Sequence, residues 1–221
     1  MNITYTRYFY FFIFIFFLTT LGCAKLDKSY PERKFYVFNV IPETKSYTQN
    51  NHSVLEIRRF RVSPAYHGNQ FVYRISSDGY ESDFYNQFFR SPASLITQVV
   101  YKWLSKSSPF QYVVEAPSDV QPDYVLDGFV NAIYGDYNVA GSPKAVLTMQ
   151  FFLIKEVSAD NEIVFSKTYR QEVDIVSKSP SALVNGWNEA LKHILTDFES
   201  DIGQHDTANP NSLLSTKPKK S

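Results

Sequence analysis

Between Lys144 and Glu156 the chain carries apolar side chains at positions of both parities: Val146, Leu147, Met149, Phe151, Phe152, Leu153 and Ile154. Successive side chains of a strand point to opposite faces. A run of this kind therefore predicts a central strand covered on both sides. Ser158–Glu162 is a turn signal and Ile163–Ile175 reads as the partner strand. The sequence around this hairpin must supply further strands and an apolar cover.

It does so in a regular order. Phe35–Val40 is aromatic and β-branched, a first strand, and Glu43–His52 is a polar loop. Ser53–Val62 alternates and reads as one strand, with Val54, Leu55, Ile57, Phe60 and Val62 set among charges. Phe71–Ile75 and Tyr80–Tyr85 flank Ser76-Ser77-Asp78-Gly79, a hairpin signal. Tyr112–Glu115 is a short strand, and Tyr124–Tyr134 a long one that Gly128 is expected to break. Ser91-Pro92 and Ser179-Pro180 each open a helix, because proline is tolerated in the first turn, where its missing N–H has no partner. The first carries Leu95, Ile96, Val99, Val100, Trp103 and Leu104 on one face, the second Leu183, Trp187, Leu191, Ile194, Leu195, Phe198 and Ile202. Gly203 is placed to cap the second helix. The expected fold is α/β of the α+β type: a single mixed, mostly antiparallel sheet of about seven strands packed with two long helices. No internal repeat is present, which excludes solenoids and propellers.

The N-terminus has a different character. Met1–Arg7 is polar with one cation, and Tyr8–Leu21 is an uncharged apolar run of 14 residues. A bilayer span needs about 20 apolar residues, so the run fits the apolar region of an export signal. It ends Thr19-Thr20-Leu21-Gly22-Cys23, and Cys23 is the single cysteine of the chain. A small residue before a cysteine is what lipoprotein signal peptidase accepts. The motif departs from the usual lipobox by placing Thr20 where Leu is customary. Cleavage between Gly22 and Cys23 followed by acylation of the Cys23 thiol is the expected processing, and two or three acyl chains would anchor the chain stably. Ala24, where enteric inner-membrane lipoproteins carry Asp, points to the outer membrane. The expected organisation is residues 1–22 as signal peptide, 23–34 as lipidated N-terminus and tether, 35–203 as the folded domain, and 204–221 as a polar, disordered tail.

After removal of Met1–Gly22 the chain carries 21 basic and 22 acidic residues. A phosphate-driven nucleic-acid binder carries a basic surplus, so that class is disfavoured. One cysteine excludes an intramolecular disulfide and a Cys-cluster metal site. No serine-hydrolase elbow, His-Glu-x-x-His or phosphate-cradling glycine loop occurs. His52, His67, His193 and His205 are not spaced as a ligating pair and read as solvated. Asp119, Asp123 and Asp127 would share a face of a helix, but Pro117 and Pro122 break that segment. Glu81 with Asp83 is a weak acid–base signal. Arg58, Arg59 and Arg61 read as a charged strand face, and Trp103 and Trp187 as core. No catalytic residue, cofactor or metal is expected.

The order of several segments resembles the ABC-type transport auxiliary lipoproteins, the PqiC-like family, from about Phe35 to Ile202. The segments are Lys34-Phe35-Tyr36-Val37-Phe38 soon after the cysteine, Phe71-Val72-Tyr73-Arg74-Ile75, Phe88-Phe89-Arg90-Ser91-Pro92 before the first helix, and Pro122-Asp123-Tyr124-Val125-Leu126-Asp127-Gly128 entering the long strand. A terminal helix from Ala182-Leu183 to Ile202 completes the series. The family usually has Trp where this chain has Phe88. The resemblance implies a non-enzymatic lipoprotein of the Gram-negative envelope, lipid-anchored at the outer membrane and facing the periplasm. It would be an auxiliary component of an ABC/MCE-type intermembrane lipid transport system that docks the conduit. The partners implied are an MCE-domain periplasmic protein and inner-membrane ABC or related transporter subunits, with a homo-oligomer possible. A second reading is a cell-wall-associated lipoprotein that binds or activates peptidoglycan machinery. An enzyme with a site assembled only in three dimensions ranks last.

Overall fold

The computed structural model describes residues 31–42, 53–138, 141–156 and 161–208. The signal segment, Gly22, Cys23, the Glu43–His52 loop and residues 209–221 lie outside them. A sheet of nine strands is covered on one face by two helices. Its spine is a meander of three long strands, β7 (Tyr124–Asp136), β8 (Lys144–Lys155) and β9 (Glu162–Asp174). The β7–β8 ladder runs antiparallel from Tyr124 opposite Lys155 to Asp136 opposite Lys144, and β8–β9 continues the pattern.

The other edge of β7 is divided among three short strands that run parallel to it. These are β2 (Val54–Ile57), β3 (Arg61–Val62) and β4 (Gln70–Arg74), in that order along its length. Outside them, β6 (Tyr112–Glu115) pairs parallel with β2, and β5 (Tyr80–Phe88) pairs antiparallel with β4. Finally β1 (Lys34–Tyr36) lies parallel beside β5.

Helix α1 (Pro92–Leu104) starts as the sequence predicts: Ser91 accepts a hydrogen bond from the Ser94 amide and Pro92 fills the first turn. Ser179 does the same for α2 (Pro180–Ala208) through the Ala182 amide, at 3.2 Å. Both helices bury their apolar stripes against the sheet. Helix α2 does not stop at Gly203 but runs on to Ala208. The core cluster extends from Phe38 to Ile202. Every described strand and helix begins after Arg33, so a chain starting at Ala24 retains the whole core.

Aromatic rings fill the middle of the core. Phe71 and Phe88 meet Trp187 at 5.0 and 5.3 Å between centroids, Phe38 stacks on Phe88, and Phe151 stacks on Phe198 at 4.5 Å. Such pairs add about 0.5–1.5 kcal/mol each beyond their buried area. Trp103 reaches from α1 to α2, donating its indole N–H to the buried carboxylate of Glu199 at 3.1 Å.

The structure revises further expectations. Helices cover only one face of β8, holding Ala145, Leu147, Met149, Phe151 and Leu153, whereas on the other face Val146 is buried but Thr148, Gln150, Phe152 and Ile154 remain half-buried. Ser53–Val62 is two strands because the chain turns inward at Phe60, whose amide bonds the Thr97 hydroxyl on α1 at 3.0 Å. Gly128 does not break β7. It makes room for the Phe60 ring, since a Cβ there would lie 2.5 Å from the ring carbons.

That contact yields a test. Gly128→Ala should cost about 1–3 kcal/mol, as overpacking does where the neighbour is held in place. Adding Phe60→Leu should recover part of the loss. Urea unfolding of the two variants measures both, and equal midpoints for wild type and Gly128→Ala would refute the steric account.

Candidate interaction surface

The sequence-flagged polar residues separate into structural roles. Asp123 accepts the Val54 amide at 2.8 Å and tethers the start of β2, Asp127 pairs with Arg61 at 3.4 Å, and Asp119 is exposed in a loop. The arginine trio also disperses. Arg58 faces Glu156 at 3.7 Å, Arg59 donates to Ser94 at 2.8 Å, and Arg61 lies against Asp127 and the Phe129 ring. His67 and His193 are exposed, and His52 lies outside the described residues. Among the described residues, no group of three or more His, Cys, Asp or Glu side chains could hold a metal ion. Glu81 is exposed, whereas Asp83 is built into the backbone.

What the fold does assemble lies on the sheet face away from the helices. The alternation that sends Leu147 and Met149 inward sends Val146 and Thr148 to this side, beside Tyr134 of β7 and Arg170 and Glu172 of β9. Tyr66, in the 3-10 turn Pro64–Tyr66, stacks on Tyr134, and Tyr80 meets the same ring edge-on. Arg170 is held between Glu172, the Thr148 hydroxyl and the Tyr134 hydroxyl. Arg74 grips Asp136 through both ends of its guanidinium and lies over the Tyr134 ring. Planar two-point pairing of this kind is specific to arginine. Burial, and then the neighbouring Tyr80 and Tyr134, push the Tyr66 hydroxyl up to about 12. Like any tyrosine, it is a neutral hydrogen-bonding group at physiological pH. Beside it, Pro64, Tyr66, Val72 and Tyr80 help line a cleft of about 260 Å³. The ensemble offers aromatic faces and satisfied charges, suited to contact.

The second surface feature is at the β1–β5 edge. The β4–β5 ladder shifts register between Gln70 and Phe71, and Asp83 organises the extra residues. Its carboxylate accepts the amides of Tyr85 and Asn86, the Asn86 side chain and the Tyr73 hydroxyl, all within 2.7–3.0 Å. Burial opposes the charge of Asp83, but these four donors outweigh it and hold the carboxyl below the usual aspartate range. Tyr73 is correspondingly driven up by burial and by Asp83. The bulge turns Phe84 and Tyr85 out to solvent. Sequence reasoning missed it by reading Tyr80–Tyr85 as a plain strand. The available signal was Asp83 followed three residues later by Asn86, with non-alternating aromatics between them.

Asp83→Asn should cost about 1–3 kcal/mol at pH 7, because one amide oxygen cannot serve four donors. The pH dependence has a definite sign. A depressed folded-state pKa gives stability that is present above the unfolded value of about 4 and is lost as pH falls through the folded value. Urea unfolding should therefore show the gap between wild type and Asp83→Asn closing below about pH 4. A gap that stays constant down to pH 2 would contradict the assignment.

The family model for the ABC-type transport auxiliary lipoprotein component matches residues 36–198. A crystal structure of a Xanthomonas campestris protein assigned to the DUF330 family is 16% identical. It superposes with a TM-score of 0.68 over 79% of this chain and 99% of that one. A second solved structure, of an uncharacterized protein, has 14% identity and a TM-score of 0.61, covering 77% and 99% of the two chains. These likenesses show a common fold. A probable dipeptidyl-aminopeptidase B of Phaeosphaeria nodorum is 31% identical over 104 residues, but the chain spans only 11% of that protein's length. The family match extends from β1 through most of α2, and on it the chain belongs to the ABC-type transport auxiliary lipoprotein components.

Proposed function

We propose that this lipoprotein acts by contact and without turnover, docking the periplasmic conduit of an intermembrane lipid transport system at the outer membrane. The observation that carries the reading is the family match over residues 36–198, preceded 13 residues upstream by the only cysteine of the chain. The arrangement of the domain supports it. Aromatic side chains pack the interior, and the organised polar groups sit on the open sheet face in saturated pairs. The partners are an MCE-domain protein and inner-membrane transporter subunits, with the diacylated Cys23 as the anchor.

In cells, the protein should incorporate labelled palmitate, and Cys23→Ser should abolish the label. Purification from membranes in mild detergent should bring an MCE-domain protein with it. Loss of contact should appear in variants of the open face. Arg74→Gln leaves Asp136, which is largely buried, without its cation, and should weaken the co-purification together with folding stability. Tyr80→Ala, at an exposed ring, should weaken the co-purification with little change in stability. An abundant protein that brings no transport component from membranes would refute the docking role.

A further inference from the structure

The bulged edge carries an apolar patch that the core does not use. Phe35, Phe84, Tyr85 and Phe89 are 55%, 55%, 40% and 61% exposed. They are tied into one surface. Phe35 of β1 meets Phe89 edge-on at 6.3 Å, β1 lies beside β5, and Phe84 contacts Tyr85 at 5.3 Å. Arg33 spreads its guanidinium over Phe84 at 4.0 Å. A monomer gains nothing from displaying contiguous aromatics, and such clusters mark docking surfaces.

Charge indicates the occupant. Arg33 precedes β1 and Lys34 opens it, and Phe89 continues into a shallow cleft of about 350 Å³ whose lining includes Arg59, Arg90, Ser91 and Ser94. Exposed aromatics beside cations are the chemistry of the bilayer interface, where rings sit at headgroup level and arginines meet phosphates. The carboxylate of the bulge itself does not reverse this, because Asp83 is engaged by four donors. The chain length agrees. Cys23 lies ten residues before Arg33, a span of at most roughly 35 Å even when fully extended.

We propose that the β1–β5 edge, through Phe35, Phe84, Tyr85 and Phe89, seats against the anionic surface of the bilayer that carries the anchor. The acyl chains of Cys23 would then supply attachment, and the aromatic edge would fix orientation. The proposal rests on the anchored reading for the identity of its surface, but its test does not use the anchor.

Residues 24–221, purified without lipid, are floated with vesicles of phosphatidylglycerol and phosphatidylethanolamine (1:3), and with phosphatidylcholine alone. The expected result is co-flotation with the anionic vesicles, weakened by added salt, and weaker binding to phosphatidylcholine. Phe35→Ser with Phe89→Ser should weaken binding at least about tenfold, and Arg59→Gln with Arg90→Gln should weaken it on anionic vesicles alone, both with unchanged circular dichroism. Absence of co-flotation, or variants that bind as wild type does, would overturn the proposal. So would self-association that Phe35→Ser with Phe89→Ser abolishes while vesicles are ignored, because a second copy would then be what covers the patch. Palmitate labelling of Cys23 is independent of all three outcomes, so failure here leaves the anchor standing.

Discussion

The indole N–H of Trp187 points at two backbone carbonyls at once, those of Tyr134 and Val146, at 3.3 and 3.2 Å. These residues face each other across the β7–β8 ladder. One buried side chain therefore joins α2 to the two strands at the centre of the sheet. The close approach depends on Gly186, where a Cβ would come within 2.6 Å of Ala145. Around the indole, Phe71 and Phe88 bring in β4 and β5, and Phe38 follows by stacking on Phe88. Truncation of a buried tryptophan of this kind costs about 3–5 kcal/mol, comparable to much of the stability of a small domain.

Sealing one face of the sheet determines where function can reside. The apolar stripes of the helices are committed to the core, and the opposite sheet face and the sheet edges carry the organised groups described above. The opposite face pairs its charges locally: Arg74 with Asp136, Arg170 with Glu172, and Lys144 with Glu172. It is thus structured before any partner arrives, which lowers the ordering penalty on binding. The β1–β5 edge differs, since its aromatics are turned outward by a bulge that Asp83 maintains. A transport auxiliary component of this family can therefore present two chemically distinct surfaces on a single rigid sheet.

Much of this was legible from residue order. The long strands β7 and β8 with β9 as partner across a turn, the serine–proline starts of both helices and the hairpin at Ser76–Gly79 follow from local rules, and the structure has them. Gly128 misled because a glycine in a strand can mark either a break or a close approach, and only the position of Phe60 separates the two. The both-sided apolarity of β8 misled for a related reason. Half-buried residues such as Phe152 and Ile154 are tolerated at an open face, where neighbouring side chains shield them. The tyrosine–arginine ensemble was not legible, because Tyr66, Arg74, Tyr80, Tyr134 and Arg170 come from five separate segments that only the ladder order of β7 brings together. Cys23 lies outside the described residues, and its proposed role as anchor rests on sequence position alone, as the one thiol at the junction of an apolar run and a polar segment.

The proposed anchor holds the folded body to a membrane through its single cysteine thiol, Cys23. Intact-mass spectrometry of the protein extracted from native membranes tests this directly. The account predicts a chain beginning at Cys23 with a mass increment equal to a diacylglyceryl group, with or without a third acyl chain. A chain that retains Met1–Gly22 with a free Cys23 thiol would contradict it.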